Sequence, residues 1–305
     1  MGTIVNKKQL SGVLMAIGAF GLWGLTPLYF APIREINSVE LVLHRIAWTW
    51  VIGWVYITVS WAKARRVFAD RRLFLRTLLA GVLILVNWLV YTYAVTKGKA
   101  LEASLGYYIN PLFSVVLGVV FLRERLRRLQ IVAFFTAMAG VVYLTVVQGS
   151  LPWVSVVLPI FFGLYGLVKK TTAVEPLLGL GFETIVWGPL AMTWILLGVF
   201  QGRGSMVYGG VWTTVLLVGS GAVTVAPLVL FAGATHRIAL ASVGFLQYIA
   251  PTLILIFGAT VLEEPFPLRR LPGFLLVWVA LLIYSLSTFR ENRPSPAFSP
   301  SPADG

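Results

Sequence analysis

A chain of 305 residues with 58% hydrophobic side chains, 11% charged side chains and a formal net charge of +13 has a mean hydropathy of +0.88. Soluble domains are roughly 45–50% apolar and about 25% charged, so a soluble fold, a peripheral protein and a single-span anchor are all excluded. With no cysteine and two histidines, disulfides, iron–sulfur clusters and thiol chemistry are ruled out and a zinc site is disfavoured, so no cofactor or metal is expected.

Apolar runs of about 17–25 residues, the length a helix needs to cross a bilayer, occur near residues 10–30, 39–60, 73–95, 101–122, 129–147, 151–168, 178–200, 210–234, 239–262 and 271–288. They are too long for the alternating strands, about ten residues each, of an outer-membrane barrel. The expected fold is therefore an all-α integral membrane protein with ten transmembrane helices. The first run follows Lys7 and Lys8, as a signal peptide would. It also holds Gly21, Trp23, Gly24 and Pro27 and lacks a small-residue cleavage site, so it is read as a retained helix. Residues 1–9 are read as a cytoplasmic N-terminus, and residues 289–305, rich in Pro and Ser, as a disordered cytoplasmic tail.

Basic residues concentrate on alternate connections. With the N-terminus inside, 17 of the 24 Lys and Arg lie on inner segments, chiefly Lys63 to Arg76 and Arg123 to Arg128, with Lys169 and Lys170 counted among them. Six lie on outer segments, and Arg45 falls within helix two. This bias predicts that both termini are cytoplasmic. It makes the net charge a statement about orientation in the membrane, not about a nucleic-acid partner.

The halves repeat at an offset of about 140 residues. Phe20-Gly21-Leu22-Trp23-Gly24-Leu25 returns as Phe162-Gly163-Leu164-Tyr165-Gly166-Leu167, and Ala103-Ser104-Leu105-Gly106-Tyr107 returns as Ala241-Ser242-Val243-Gly244-Phe245. Tyr108-Ile109-Asn110-Pro111 returns as Tyr248-Ile249-Ala250-Pro251, Glu124 as Glu264, and Glu40 as Glu183. Residues 10–147 and 151–288 thus form two five-helix repeats. An odd number of helices per repeat makes them inverted across the membrane, the construction of secondary transporters, whose substrate binds near the midplane. Gly106 with Pro111, and Gly244 with Pro251, are candidate hinges, because each proline deprives the carbonyl four residues earlier, of Tyr107 or Gln247, of its helical donor. Pro159, Pro189 and Pro227 read as simple kinks.

Polar groups inside spans are costly and are therefore candidates for function. Glu40 and His44 share one face of helix two with Arg45 adjacent, a set able to carry a proton; the simpler reading is a Glu40–Arg45 ion pair near the interface. Glu183 is read as reaching water, and Glu124 and Glu264 as solvated caps or loop partners. Trp23, Asn87, Trp88, Tyr91, Tyr107, Tyr108, Asn110, Tyr165, Gln247 and Tyr248 form an uncharged inventory suited to a small amphipathic or aromatic ligand, although Trp and Tyr also serve interfacial belts and packing. Only a clustering of these residues at one depth would make them a site. No HExxH, GxSxG, P-loop or paired intramembrane aspartates occur, so no enzyme is expected.

The stretches ELVLHRIAW (Glu40 to Trp48), VNWLVYTYA (Val86 to Ala94), LEASLGYYINPL (Leu101 to Leu112) and GFLQYIAPTL (Gly244 to Leu253), with Glu264-Pro265-Phe266 after them, resemble RarD-type permeases of the EamA family in the drug/metabolite transporter superfamily. The resemblance covers residues 10–288 and implies a bacterial cytoplasmic-membrane location, two inverted five-helix halves, a central cavity, and export of a small metabolite or drug-like molecule. Relatives often carry Gly before the two glutamates, where this chain has Arg123 and Glu263. The expected partners are a small-molecule substrate, the lipid bilayer and, if Glu40 and His44 act as read, protons. A non-transporting receptor or scaffold and a facilitative channel are the competing readings.

Overall fold

A computed structural model describes residues 7–97, 99–149, 151–261 and 268–291. Glu263, Glu264, Pro265 and Phe266, and the last fourteen residues of the tail, lie outside the described residues.

The chain is helical throughout the described residues. In order, the helices are α1 (Lys7–Phe30), α2 (Ser38–Val59), α3 (Trp61–Ala69), α4 (Arg71–Thr96), α5 (Ala100–Leu122), α6 (Arg128–Gln148), α7 (Trp153–Thr171), α8 (Pro176–Glu183), α9 (Trp187–Phe200), α10 (Ser205–Tyr208), α11 (Gly210–Thr235), α12 (Leu240–Leu246), α13 (Ile249–Thr260) and α14 (Leu271–Glu291). Nine stretches among the described residues are long and apolar enough to cross a membrane, α12 and α13 serving together as one, and α8 with α9, bent by 59°, make a tenth. A helix is the element the composition demands, because it satisfies its backbone groups internally where no water is available. Large apolar side chains such as Leu14, Val120, Phe135, Leu190 and Leu282 are exposed on the bundle's outside, where lipid tails replace water.

The two broken spans share a cause. Pro189 is the third residue of α9 and Pro251 the third residue of α13, so each proline removes the donor, and sterically blocks the carbonyl, that would join its segment to the one before. At the second break the chain recovers part of the loss locally, since Ala250 N–H donates to the Gln247 carbonyl at 3.2 Å. Pro111 behaves differently and sits inside the continuous helix α5. The pairing of Pro111 with Pro251 as equivalent breaks therefore does not hold, while Pro189, read as a simple kink, marks the second interruption. Both breaks fall in the second repeat.

The strongest helix contacts run between the repeats: α6 with α14, α5 with α7, α1 with α11, α2 with α11, α5 with α12, α4 with α7 and α1 with α13. Exchanging each helix for its counterpart in the other half maps these contacts onto one another, α5 with α7 becoming α12–α13 with α1, α1 with α11 becoming α7 with α4, and α2 with α11 becoming α8 with α4, which also touch. Small residues allow the closest of these crossings, as expected where packing rather than hydrophobic burial holds helices together. A Cβ on Gly53 of α2 would stand 2.5 Å from the Gly181 Cα of α8, and one on Gly244 would stand 2.8 Å from the Pro111 carbonyl oxygen. The candidate hinges of the two halves thus touch one another.

One element was not legible in the sequence. The basic stretch after helix two contains α3, with Lys63, Arg65, Arg66, Trp61 and Phe68 exposed and Ala64 and Val67 buried, the arrangement of a helix lying along the membrane surface. It marks one end of the bundle, together with Arg123 to Arg128, as the basic end.

Arg123 ends α5 at φ +56° and is the only described non-glycine residue with positive φ. An L side chain in that region carries about 1–2 kcal/mol of strain. Arg123→Gly should therefore raise the apparent melting temperature in detergent or nanodiscs, the relief of up to about 1 kcal/mol being partly offset by glycine's larger unfolded-state entropy; a lowered midpoint would contradict this account.

Candidate functional site

At the basic end, charged groups meet inside the protein instead of dispersing in loops. Lys169 Nζ donates to Glu183 Oε1 at 2.6 Å, and the Tyr165 hydroxyl donates to Glu183 Oε2 at 3.2 Å. The side chains of Lys169 and Glu183 are 6% and 0% exposed. Glu183 therefore does not reach water, and Lys169 is not a loop charge; each is buried because the other is there. Lys170 donates to the carbonyls of Thr235 and Ile238 at 3.0 and 2.6 Å, and His236 Nε2 lies 2.7 Å from the Lys169 carbonyl. Glu124 accepts from the backbone N–H groups of Leu240 and Ala241 at 2.7 and 2.9 Å. A carboxylate from the first repeat thus caps the first turn of α12 in the second, where the helix dipole favours negative charge. Across the same end, Lys63 reaches Glu175 at 2.7 Å, and the Tyr56 hydroxyl joins the same carboxylate. These contacts fasten the repeats together at the basic end. A crevice of about 340 Å³ remains there, lined by Gln9, Glu124, Arg125, Arg127, Arg237 and Ser242.

Toward the bundle's interior the ion pair gives way to aromatic rings. Tyr165 stacks on Phe231 with centroids 5.9 Å apart, Phe162 lies 5.2 Å from Phe231, and Trp23 contacts Phe20, Phe162 and Phe231 at 5.5–5.9 Å. Trp23 and Tyr165, repeat equivalents in the sequence, thus meet in one aromatic plug between α1, α7 and α11.

Adjoining the plug, against which Trp88 packs, Arg45 of α2, Trp88 and Tyr91 of α4, and Tyr107 of α5 come together. The Arg45 guanidinium carbon lies 5.1 Å from the Trp88 ring centroid and 5.8 Å from that of Phe30, its Nε donates to Thr224 Oγ1 at 3.0 Å, and it is within electrostatic reach of the Tyr91 and Tyr107 hydroxyls. The Tyr91 and Tyr107 rings are 5.8 Å apart. Arg45 and Tyr107 each stand eight residues into their helices from the end opposite the basic one, which at 1.5 Å per residue is about 10 Å deep. Each member of the cluster is only partly buried.

Glu40 and Arg45 do not form the ion pair that their spacing allowed. Glu40 accepts from Ser205 N–H at 2.6 Å and stands 4.0 Å from His44 Nε2. The indole N–H of Trp48 donates to His44 Nδ1 at 3.3 Å, which leaves the proton of a neutral ring on Nε2, facing Glu40. Five residues of helix rotation carry Arg45 to the other side, against α4 and α11.

The remaining sequence candidates are scattered. Asn87 donates to the Leu158 carbonyl at 2.9 Å and ties α4 to α7. Tyr108 lies 5.3 Å from the Phe274 ring, and the Tyr248 hydroxyl donates to the Tyr108 carbonyl at 3.2 Å; both are buried among α5, α6 and α14, away from the Arg45 cluster. Gln247 donates to Ser114 Oγ at 3.1 Å, while Asn110 Oδ1 and Gln247 Oε1 are buried without a hydrogen-bond partner. Thr224 and Phe30 were missed, since nothing in a sequence marks a threonine or phenylalanine on another helix as an arginine's neighbour.

The comparisons with known proteins bear on the whole architecture. Residues 10–146 match the EamA-like transporter family, and the chain is 40% identical over 296 residues to the uncharacterized transporter YojE of Bacillus subtilis (strain 168), covering 95% of this chain and 98% of that one. The chain belongs to the EamA-like transporter family. Protein RarD of Escherichia coli (strain K12) is 34% identical over 289 residues, covering 94% and 98%, and Protein RarD of Streptomyces exfoliatus is 38% identical over 294, covering 96% and 93%. A solved crystal structure, 18% identical, superposes with a TM-score of 0.67 over 92% of this chain and 99% of its own, which establishes a shared fold. The protein is accordingly a multi-pass membrane protein of a transporter family.

Two consequences of the basic-end network can be measured. Lys169→Met or Glu183→Leu alone leaves a buried charge without its counter-ion and should cost about 3–5 kcal/mol, while the double variant should cost less than either single one; additive losses in a double-mutant cycle would show that the pair is not coupled. Burial holds the His236 imidazole below its ordinary range, so the unfolded chain takes up a proton at a higher pH than the folded one. The associated stability is complete above the unfolded value of about 6.5 and is lost as pH falls toward the folded value. The melting temperature should therefore drop between about pH 7 and 5, with a shallower slope in His236→Gln.

Proposed function

We propose that the protein is a secondary carrier that moves a small amphipathic molecule out of the cell across the cytoplasmic membrane by alternating access, with both termini in the cytoplasm. The observation that carries the reading is the packing of the repeats against each other in a pattern that maps onto itself when they are exchanged. Such an interface has two near-equivalent arrangements, one sealed at each end. In the arrangement described here the basic end is fastened by Glu124 on α12 and by Lys63 on Glu175, and by the distribution of basic residues that end faces the cytoplasm. The Arg45, Trp88, Tyr91 and Tyr107 cluster adjoins the Trp23, Phe162, Tyr165 and Phe231 plug through Trp88, where a substrate admitted from one side would wait for release to the other. Outward movement is the direction that the family resemblance implies.

Glu40 and His44 supply the coupling in this reading. They are the only acid and imidazole that face each other within a span among the described residues, and they lie near the end away from the basic one. A proton entering there can be shared between the carboxylate and Nε2, and its arrival changes the Glu40 contact with Ser205 that links α2 to the connection before α11. Both residues act as proton-carrying groups in this scheme, and neither touches substrate.

The test compares metabolites inside and outside cells overproducing the wild type, a well-inserted Trp88→Ala, Tyr107→Ala variant, and an empty vector. At least one compound should leave cells with the wild type only, and its flux in proteoliposomes should saturate and show exchange, as a channel's would not. Glu40→Gln should make that flux independent of the proton gradient. Identical profiles for the three strains would overturn the reading in favour of a receptor or scaffold.

A further inference from the structure

Among the described residues Arg45 is the one arginine placed well inside a span, and its environment does not neutralise it. A charged side chain at membrane depth is costly unless it pairs or faces water or a ligand. Among the described residues no carboxylate lies within ion-pair distance of it, since Glu40, the nearest acid in sequence, is turned to His44 and Ser205. A guanidinium has five N–H donors, and the one hydrogen bond found for Arg45 runs from Nε to Thr224 Oγ1. Thr224 is a neutral acceptor whose own proton goes to the Ser220 carbonyl at 2.8 Å. The other support comes from the ring faces of Trp88 and Phe30, which attract a cation without cancelling its charge. Arg45 as a whole is only partly buried, and its guanidinium lies within electrostatic reach of the Tyr91 and Tyr107 hydroxyls.

We infer that the cargo is an organic anion, a single carboxylate on a flat apolar or aromatic body, whose carboxylate is held by Arg45 and whose body lies against Trp88, Tyr91 and Tyr107. A carboxylate matches the guanidinium's fork with two parallel hydrogen bonds, and the rings form walls of the flat shape that such a body fills. Among the described residues no carboxylate is within electrostatic reach of Arg45, Tyr91 or Tyr107 to receive an ammonium group, so neither a cation nor a zwitterion finds a partner for its positive end there. This revises the uncharged character that the aromatic and amide inventory alone implied. The inference rests on the carrier reading only for the word cargo; the binding preference stands or falls separately.

The experiment measures equilibrium binding to the full chain in phosphatidylcholine nanodiscs by isothermal titration calorimetry, with four probes that share one indole ring: indole-3-acetate, indole-3-acetamide, tryptamine and tryptophan. Indole-3-acetate should bind at least about tenfold more tightly than the amide, as expected for charge-assisted hydrogen bonds out of water. Tryptamine should bind most weakly, and tryptophan no more tightly than the acid. Arg45→Gln should abolish the preference for acid over amide and Arg45→Lys should retain part of it, a difference that a merely structural arginine would not produce. The wild-type comparison needs no variant, so misfolding of Arg45→Gln leaves the test intact. Equal binding of acid and amide, binding of neither, or a preference for tryptamine or tryptophan would overturn the inference. An uncharged compound found in the export experiment would likewise overturn it while leaving the carrier reading in place, whereas acid-selective binding without flux would do the reverse.

Discussion

The structure depends on one constraint: inside a bilayer there is no water to satisfy a polar group or to drive apolar faces together. Among the described residues, several of the costliest groups are therefore found against a partner brought from a distance. Lys169 and Glu183 bury each other, Glu124 reaches across the repeat boundary to cap α12, and Asn87 spends its amide on the Leu158 carbonyl of α7. The same logic makes Arg45 conspicuous. It is held by a threonine and two ring faces, none of which brings the opposite charge that Glu183 brings to Lys169.

The repeats translate this constraint into an architecture. Because the strongest contacts lie between halves, neither half forms a packed body by itself, and backbones approach closely where glycines cross from one half to the other, Gly53 on Gly181, Gly81 on Glu183 and Gly244 on Pro111. Large side chains at such crossings would interlock the halves; small ones leave a smooth contact. The asymmetry superimposed on this pattern is confined to the second repeat, where Pro189 and Pro251 interrupt two spans and α2 and α5 of the first repeat stay continuous. The interruptions therefore lie in the second half, against a first half that presents Arg45, Trp88, Tyr91 and Tyr107 on unbroken helices.

Much of the fold was legible because hydropathy and length answer a one-dimensional question. Whether a run of twenty residues enters the bilayer depends on its own composition, and the repeat could be recognised from ordered matches such as Phe20 to Leu25 with Phe162 to Leu167. The site was less legible because lateral position on a helix, and the identity of the facing helix, depend on packing. Tyr107 and Tyr108 are adjacent in sequence and both aromatic, yet one faces Arg45 and the other Phe274. Lys169 and Lys170 looked like loop charges because Glu183 is fourteen residues from the first and sits on another helix.

The sequence by itself determined that this chain spans a membrane about ten times, that it is built from two related halves, and that the halves are inverted, because each of these follows from composition, run length and an odd helix count. Only the tertiary structure decided that Glu183 is buried against Lys169, that Glu40 turns to His44 while Arg45 turns to Trp88, and that α5 stays whole where α12 and α13 part. Those outcomes depend on which faces meet across helices far apart in the chain, and that information is carried by no single segment.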